Sequence, residues 1–353
     1  MTFLIFAGSV ALLVLGAELL VRGSSRLAVL AGVSRLVVGL TVVAFGTSSP
    51  ELAVSLKAAL TGMPDLAYGN VVGSNICNVL LILGLASLAA PLSVPRPVLR
   101  RDLPWMAAVS AIALLLALDG RVGRLDGAAL LALGVVYTAW SIRQERSTEP
   151  PAPAPEGGPA PAKRAWRDVA SVLAGLALLV LGAQGLVSAA VRVARQIGVS
   201  ELVIGLTVVA VGTSLPEIAT SVLASVRGER EIAVGNVVGS NILNLCAVLG
   251  LTALIARGGV AVDAHALRWD TPIMLAVALV CFPLFLKGSV VSRLDGLLLA
   301  GLYAAYAAWL VLKAQTHPAL PRYEAALVLL VPAIVTGFLV AAVRSVRIRL
   351  QRR

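Results

Sequence analysis

The sequence predicts an all-α polytopic membrane protein: two inverted five-helix repeats, giving ten core transmembrane helices, plus an additional C-terminal transmembrane helix. Three observations predict it. The first is composition: of 353 residues, 59% are hydrophobic and 13% charged, with a mean hydropathy of +0.93, far above a soluble domain. The second is a series of continuous apolar runs long enough to cross hydrocarbon as helices. They lack the period-two alternation of a transmembrane barrel. The third is an internal echo. GLTVVAFGTSSPE, Gly39 to Glu51, returns as GLTVVAVGTSLPE, Gly205 to Glu217, at an offset of 166 residues (205 minus 39).

Taken in order, the first apolar segment covers about 3–22 and can extend to 30, with Gly8, Gly16, Ala17 and Gly23 as small residues that permit close helix contact. It lacks the basic start of a signal peptide and has a counterpart at about 169–190, so it is expected to be a transmembrane helix. Segment 2, about 37–60, holds the first motif; the loop TGMPD follows at 61–65. Segment 3 starts near Gly69 with GNVVGSNICN and runs to about Ala90. After a loop with three prolines and three arginines, segment 4 covers about 103–119. Segment 5 follows RLDG (124–127) and ends near Trp140.

Residues 147–165 are rich in proline, alanine and glycine and read as a semi-extended linker. They separate a first repeat, 1–146, from a second, 166–316. In the second, GNVVGSNI recurs letter for letter at 235–242 and RLDG at 293–296. Segments 6 to 10 are expected near 168–195, 202–225, 235–256, 270–287 and 295–314. Residues 317–353 add an eleventh helix, about 325–343, and a basic tail.

Five helices is an odd number, so the second repeat must cross in the opposite sense to the first, the arrangement of many secondary transporters. Loops on the side opposite the N-terminus collect 20 of the 29 Lys and Arg residues. The positive-inside bias then places the N-terminus outside and the linker and tail in the cytoplasm; the expected location is the cell (inner) membrane. The same bias explains the net charge of +11 without nucleic acid. Cys77, Cys246 and Cys281 all lie in apolar segments and suggest neither a disulfide nor a metal cluster. The expected partners are membrane lipids and small cations, with no obligate protein partner and no cofactor.

The repeated motif is costly where it lies. An ionised carboxylate at the bilayer centre costs about 2.5–3.5 kcal/mol on insertion scales, which makes an intramembrane acid a functional-site candidate. Pro50 and Pro216 each remove a backbone donor and clash with the preceding turn, so the helix must kink or break there. Carbonyls near Ala44, Thr47, Ala210 and Thr213 are expected to become available as ligands. Glu51 and Glu217 follow the prolines directly, and inverted symmetry brings them to a shared centre. Ser74 and Asn78 are four apart and share a helix face, as do Ser240 and Asn244. Asn75 and Asn241 are expected to bond backbone or neighbouring helices. The candidate set is all oxygen: two carboxylates, amides, hydroxyls and carbonyls. Such a set suits hard cations such as Ca²⁺ and Na⁺. The pair of acids needs a cation, a proton, or both.

The paired GTS-x-PE and GNVVGSN motifs in inverted halves resemble the alpha-repeats of the sodium/calcium exchanger family, within the cation/Ca²⁺ antiporter superfamily. The resemblance covers the chain through segment 10. It implies a secondary antiporter that exchanges Ca²⁺ for Na⁺ by alternating access, with the ions competing at a midplane site. Glu51 and Glu217 would be the Ca²⁺ carboxylates, completed by the carbonyls of Thr47 and Thr213. Ser48, Ser74 and the Ala44 carbonyl would form one Na⁺ site; Ser214, Ser240 and the Ala210 carbonyl would form the other. Asn78 and Asn244 would border the middle, and segments 1 and 6 would slide past the core. Many relatives carry aspartate at position 244, where this chain has asparagine, and that keeps Ca²⁺/H⁺ exchange open as the alternative.

Blander roles stand beside these. The serines and asparagines can be interhelical glue. Glu18, matched by Gln184, can snorkel or bond a helix. Asp126 and Asp295 read as helix caps or partners of Arg124 and Arg293, and Asp102 and Asp270 as charges favouring helix N-termini. The basic tail reads as a topology anchor able to contact anionic lipid. His265 and His317 have no role in this reading. An intramembrane enzyme finds no support: HExxH and GxSxG are absent and neither histidine lies near the motifs. A structural membrane protein would not need matched carboxylates.

Overall fold

The computed structural model describes residues 2–146, 161–196, 198, 201–204, 207–208 and 210–351. Gly205 and residues 147–160 of the expected linker lie outside the described residues. The first repeat comprises α1 (Thr2–Ala31), α2 (Arg35–Thr47), α3 (Ser49–Leu60), α4 (Pro64–Ala89), α5 (Leu103–Leu116) and α6 (Arg124–Arg146). The second comprises α7 (Pro161–Gln196), α8 (Glu201–Ile204), α9 (Ala210–Thr213), α10 (Leu215–Val226), α11 (Arg230–Ile255), α12 (Ala266–Leu286) and α13 (Arg293–Ala314). A last helix, α14 (Leu320–Gln351), follows.

Eight of the described helices are long and apolar enough to cross a membrane, and α2 with α3 makes a ninth span bent by 42°. The other two expected spans are shorter. The fourth is a 14-residue helix, α5, extended at its start by a π-helical turn at Val98–Asp102. The seventh is interrupted at α9 and α10 and includes residues outside the description.

Several helices begin earlier than the hydropathy suggests. Proline fixes φ near the helical value and lacks only an N–H that the first turn would leave unpaired. Pro64 therefore opens α4 five residues before Gly69, and Pro161 opens α7 inside the stretch expected as linker. At the other end of the chain α14 runs from Leu320 to Gln351, longer than the apolar run within it.

Two short antiparallel pairings report the relative sense of the repeats. Strand β1 (Leu92–Ser93), between α4 and α5, pairs with β4 (Val290–Val291), between α12 and α13. Strand β2 (Arg121–Val122), between α5 and α6, pairs with β3 (Val260–Ala261), between α11 and α12. Each pairing joins one repeat's connection before its fourth span to the other repeat's connection after it. Repeats crossing in the same sense would put those connections on opposite faces.

Helices α4 and α11 form the centre: 78% of the most apolar window of each is buried, against 33% in α1 and 28% in α7. α1 and α7 lie against each other antiparallel along their lengths. A Cβ at Gly16 would fall 2.8 Å from the carbonyl oxygen of Gly175, and one at Gly175 would fall 2.7 Å from that of Gly16. Glycine is required at this crossing because the two backbones touch.

Asp126 and Asp295 cap their helices as expected, and several charged residues take further partners. Asp295 completes a capping box with Ser292 and pairs with Lys287, not Arg293. Asp126 accepts from the Gly123 N–H at 2.8 Å. Asp102 pairs with Arg101 at 2.6 Å and accepts from the Tyr137 hydroxyl, while Asp270 accepts from Tyr306. Both lie at the ends of π-helical turns, where neighbouring side chains reach them. The His265 ring stacks on Trp309.

Candidate cation site

The break in the second span is local chemistry. Ser48 leaves helical geometry at φ −79° and ψ 3°, and Pro50 sits in the first turn of α3. Ser214 does the same at φ −87° and ψ 7°, with Pro216 in the first turn of α10. The proline does not free Ala44, whose carbonyl still accepts from the Ser48 N–H at 3.0 Å. The carbonyl one turn before Pro50 belongs to Gly46, and the Ser49 hydroxyl donates to it at 2.6 Å. The Thr47 hydroxyl also lies 3.4 Å from the Ala44 carbonyl, so a cation there would compete with two donors. Glu51 and Glu217 stand in the first turns of α3 and α10, where the helix dipole favours negative charge.

Both carboxylates are buried, each 1% exposed. They are tied together by reciprocal bonds across the repeats. Ser214 Oγ donates to Glu51 Oε1 at 3.1 Å, and Ser48 Oγ donates to Glu217 Oε1 at 3.3 Å. Thr213 lies within reach of Glu51, and Thr47 of Glu217. Asn78 and Asn244 each begin a π-helical turn, in α4 and α11. Helix α3 packs on the π turn of α11, and α10 on that of α4. Each acid-bearing half-helix therefore rests on the other repeat's asparagine turn. Such π turns recur at functional sites because they displace side chains from regular helix positions.

The second carboxylate oxygens of Glu51 and Glu217 have no hydrogen-bond partner among the described residues. The same holds for Ser74 Oγ, Ser240 Oγ, Asn244 Oδ1 and the whole Asn78 amide. Leaving one buried polar group unpaired costs about 1–3 kcal/mol. The oxygens among them are of the kind that can ligate a hard cation. Among the described residues no three His, Cys, Asp or Glu side chains cluster in the manner of a metal centre. The donors here are mostly neutral oxygens.

Ala210 opens α9 and Thr213 closes it, half-buried. Asn75 and Asn241 bond as expected: Asn75 donates to the Asn241 carbonyl at 3.1 Å and Asn241 to that of Val237 at 2.8 Å. Asn75 also accepts from Asn244 at 3.1 Å, so it holds a candidate ligand in place. Sequence reasoning missed Asn70 and Asn236, which donate to Ser55 and Ser221, each at 2.9 Å. These bonds brace α3 against α4 and α10 against α11. The signal was available, since Asn70 and Asn236 belong to the repeated GNVVGSN and the serines share its offset.

The two halves do not pack alike. Gly235 and Gly239 of α11 are buried against α2, where a Cβ at Gly239 would fall 2.5 Å from the Leu40 carbonyl oxygen. Their counterparts Gly69 and Gly73 of α4 are exposed and half-buried. Thr47 and Asn236 are fully buried, whereas Thr213 and Asn70 are half-buried. The tight side carries ion pairs as well. Glu229 accepts from Arg35 at 2.8 Å and from Ser25 at 3.1 Å, and Glu18 pairs with Arg227 at 3.0 Å.

The sequence profile described as "Sodium/calcium exchanger protein" matches residues 1–143 and 168–312. The chain belongs to the sodium/calcium exchanger family. Among relatives in that direction are the putative antiporter CaxA of Alkalimonas amylolytica, 36% identical over 86% of this chain and 97% of its own length, and the sodium/calcium exchanger MaX1 of Methanosarcina acetivorans, 31% identical over the same shares. The inner membrane protein YrbG of Escherichia coli is 40% identical over 76% of this chain and 86% of its own. A solved structure of the sodium-calcium exchanger NCX_Mj, soaked with Na⁺ and Sr²⁺, superposes with a TM-score of 0.75 at 30% identity, over 87% of this chain and 97% of that one. The exchanger family is a family of transporters, and this member is a multi-pass, all-α membrane protein. Helix α14 lies beyond the matched residues.

Proposed function

We propose that this protein exchanges Ca²⁺ for Na⁺ across the membrane by alternating access, both ions competing for one site built on Glu51 and Glu217. The observation that carries the reading is the reciprocal pair of bonds between Ser214 and Glu51 and between Ser48 and Glu217. Those bonds make one buried site out of two repeats, and the unpaired oxygens of Glu51, Glu217, Ser74, Ser240, Asn78 and Asn244 supply ligands around it. Two carboxylates balance one Ca²⁺ and equally favour monovalent cations, so one ion can displace the other. The carbonyls of Thr47, Thr213, Ala44 and Ala210 complete the proposed shell.

The uneven packing supports an alternating cycle. The side bearing Arg35 and Glu229 is held by an ion pair, whereas Asn70 and Thr213 on the opposite side are only half-buried, and this reading takes that opposite side as the ions' point of entry. With the charge bias of the loops, the closed side is the cytoplasmic one and the N-terminus is outside, in the cell (inner) membrane. The two repeats, 1–146 and 166–316, would exchange these roles in the opposite state. The close antiparallel crossing at Gly16 and Gly175 offers a flat track for α1 and α7 to slide past the core.

Proton coupling is favoured by one feature, the neutral amides at both 78 and 244, which leave two acids in the site. Uptake of ⁴⁵Ca²⁺ into proteoliposomes separates the two. Na⁺-loaded vesicles in Na⁺-free medium should take up Ca²⁺ at clamped pH. Uptake under a pH gradient alone, without response to Na⁺, would replace Na⁺ with H⁺ as the driving ion.

A further inference from the structure

Helix α14 lies outside the repeats, and its docking leaves open grooves. It packs on α12 and α13, held by Trp309 Nε1 donating to Glu324 at 3.0 Å and by the Tyr323 hydroxyl donating to the Ala305 carbonyl at 2.9 Å. At the other end one flank forms a groove of about 580 Å³ lined by Thr336, Gly337, Val340, Ala341, Arg344 and Ser345, with Lys287 from the end of α12. The polar part gathers at one end, on the face of the protein that carries β1 and β4.

The lining runs from Thr336 to Ser345, ten residues whose nine helical steps span about 14 Å. That is acyl-chain length inside the hydrocarbon, ending at basic groups where headgroups lie. Lys287 is fixed in place: it pairs with Asp295 and lies 5.8 Å from the centre of the Phe338 ring. Its ammonium carries three donors and Asp295 takes one. Arg344 is exposed. A second groove of about 500 Å³ on the facing flank, between α12 and α14, is apolar along Phe282, Leu286, Leu339 and Val343 and ends at Arg347. Both flanks thus join an apolar furrow to a basic side chain at the same membrane face.

We propose that the Lys287–Arg344 groove binds an anionic phospholipid, with the phosphate on Lys287, Arg344 and Ser345 and one acyl chain along Gly337 and Ala341. Basic pockets between membrane helices recognise anionic headgroups by charge and hydrogen bonding. A second copy of the chain fits less well. A two-fold contact through Gly337, Ala341 and Ser345 would set Arg344 beside Arg344, a like-charge pair that a lipid phosphate instead neutralises.

Native mass spectrometry of the delipidated full-length protein, titrated with phosphatidylglycerol or phosphatidylcholine, tests this. The expected result is preferential retention of phosphatidylglycerol. Arg344→Gln should lower its affinity about fivefold, the effect of one interfacial basic residue. Gly337→Leu should lower it similarly while leaving every charge in place; no described atom lies within 4 Å of a Cβ there, so the fold has room for the change. Arg167→Gln, exposed at the start of α7 and not part of the groove lining, should have no effect. Equal retention of both lipids would overturn the proposal, as would equal losses in Arg167→Gln and Arg344→Gln. A wild-type dimer that Gly337→Leu converts to monomer would assign the face to self-association instead.

Discussion

Ser214 of the second repeat donates a hydrogen bond to Glu51 of the first at 3.1 Å, and its counterpart Ser48 donates to Glu217 at 3.3 Å. Each acid is thus oriented by the opposite repeat. A hydrogen bond to a charged group contributes about 1.5–3 kcal/mol. Ser48→Ala and Ser214→Ala should each raise the Ca²⁺ concentration for half-maximal transport by about tenfold or more, given 1.4 kcal/mol per decade. The two changes should have similar size because the bonds are symmetric. An effect confined to one serine would show that only one acid depends on the other repeat.

The glycine contacts predict an asymmetric response to one added methyl group. Gly239→Ala would place a Cβ 2.5 Å from the Leu40 carbonyl oxygen, whereas Gly73 is only half-buried. Overpacking of this kind costs about 1–3 kcal/mol. Gly239→Ala should lower the Tm of the purified protein, and Gly73→Ala should leave it unchanged. Equal losses would mean that the two sides are equally closed.

The ion pairs at the closed side have no equivalent at the open one. At the offset of 166, Glu18, Arg35, Arg227 and Glu229 correspond to Gln184, Glu201, Thr61 and Met63. That second set cannot make the same pairs, so the chain should favour closure at the Arg35–Glu229 side. Exposed pairs contribute at most about 1 kcal/mol each, so Glu229→Gln should shift the equilibrium severalfold, not fully. A cysteine placed at Leu40, which is buried, reads this by maleimide labelling, since the native cysteines are buried too. Glu229→Gln should speed labelling from that side, and Arg35→Glu with Glu229→Arg should slow it again.

Much of the site was legible because polar residues in apolar runs are expensive. The break, both glutamates and the serines before them stand out in the two motifs, and their shared offset announces that they meet. Repetition in odd-numbered halves gave the inverted sense that the β1–β4 and β2–β3 pairings display. Other features depend on tertiary neighbours. Which carbonyl Pro50 leaves free depends on Ser49, a serine that the second repeat replaces with Leu215. The role of Asn75 as a support for Asn244 requires α4 and α11 to cross. The π turns that begin at Asn78 and Asn244 leave no trace in hydropathy. The pairs Glu18–Arg227 and Arg35–Glu229 join residues about two hundred positions apart; Glu18 reads alone as a helix residue able to snorkel, and the other three as solvated charges near segment ends.

The central claim is that Glu51 and Glu217 form one site shared by Ca²⁺ and Na⁺. Equilibrium ⁴⁵Ca²⁺ binding to the purified protein, competed with Na⁺, tests it most directly. Wild-type protein should bind Ca²⁺ saturably and release it as Na⁺ rises, and Glu51→Gln and Glu217→Gln should each abolish that binding in protein that still melts cooperatively. Wild-type affinity retained in either variant, or Ca²⁺ binding indifferent to Na⁺, would contradict the account.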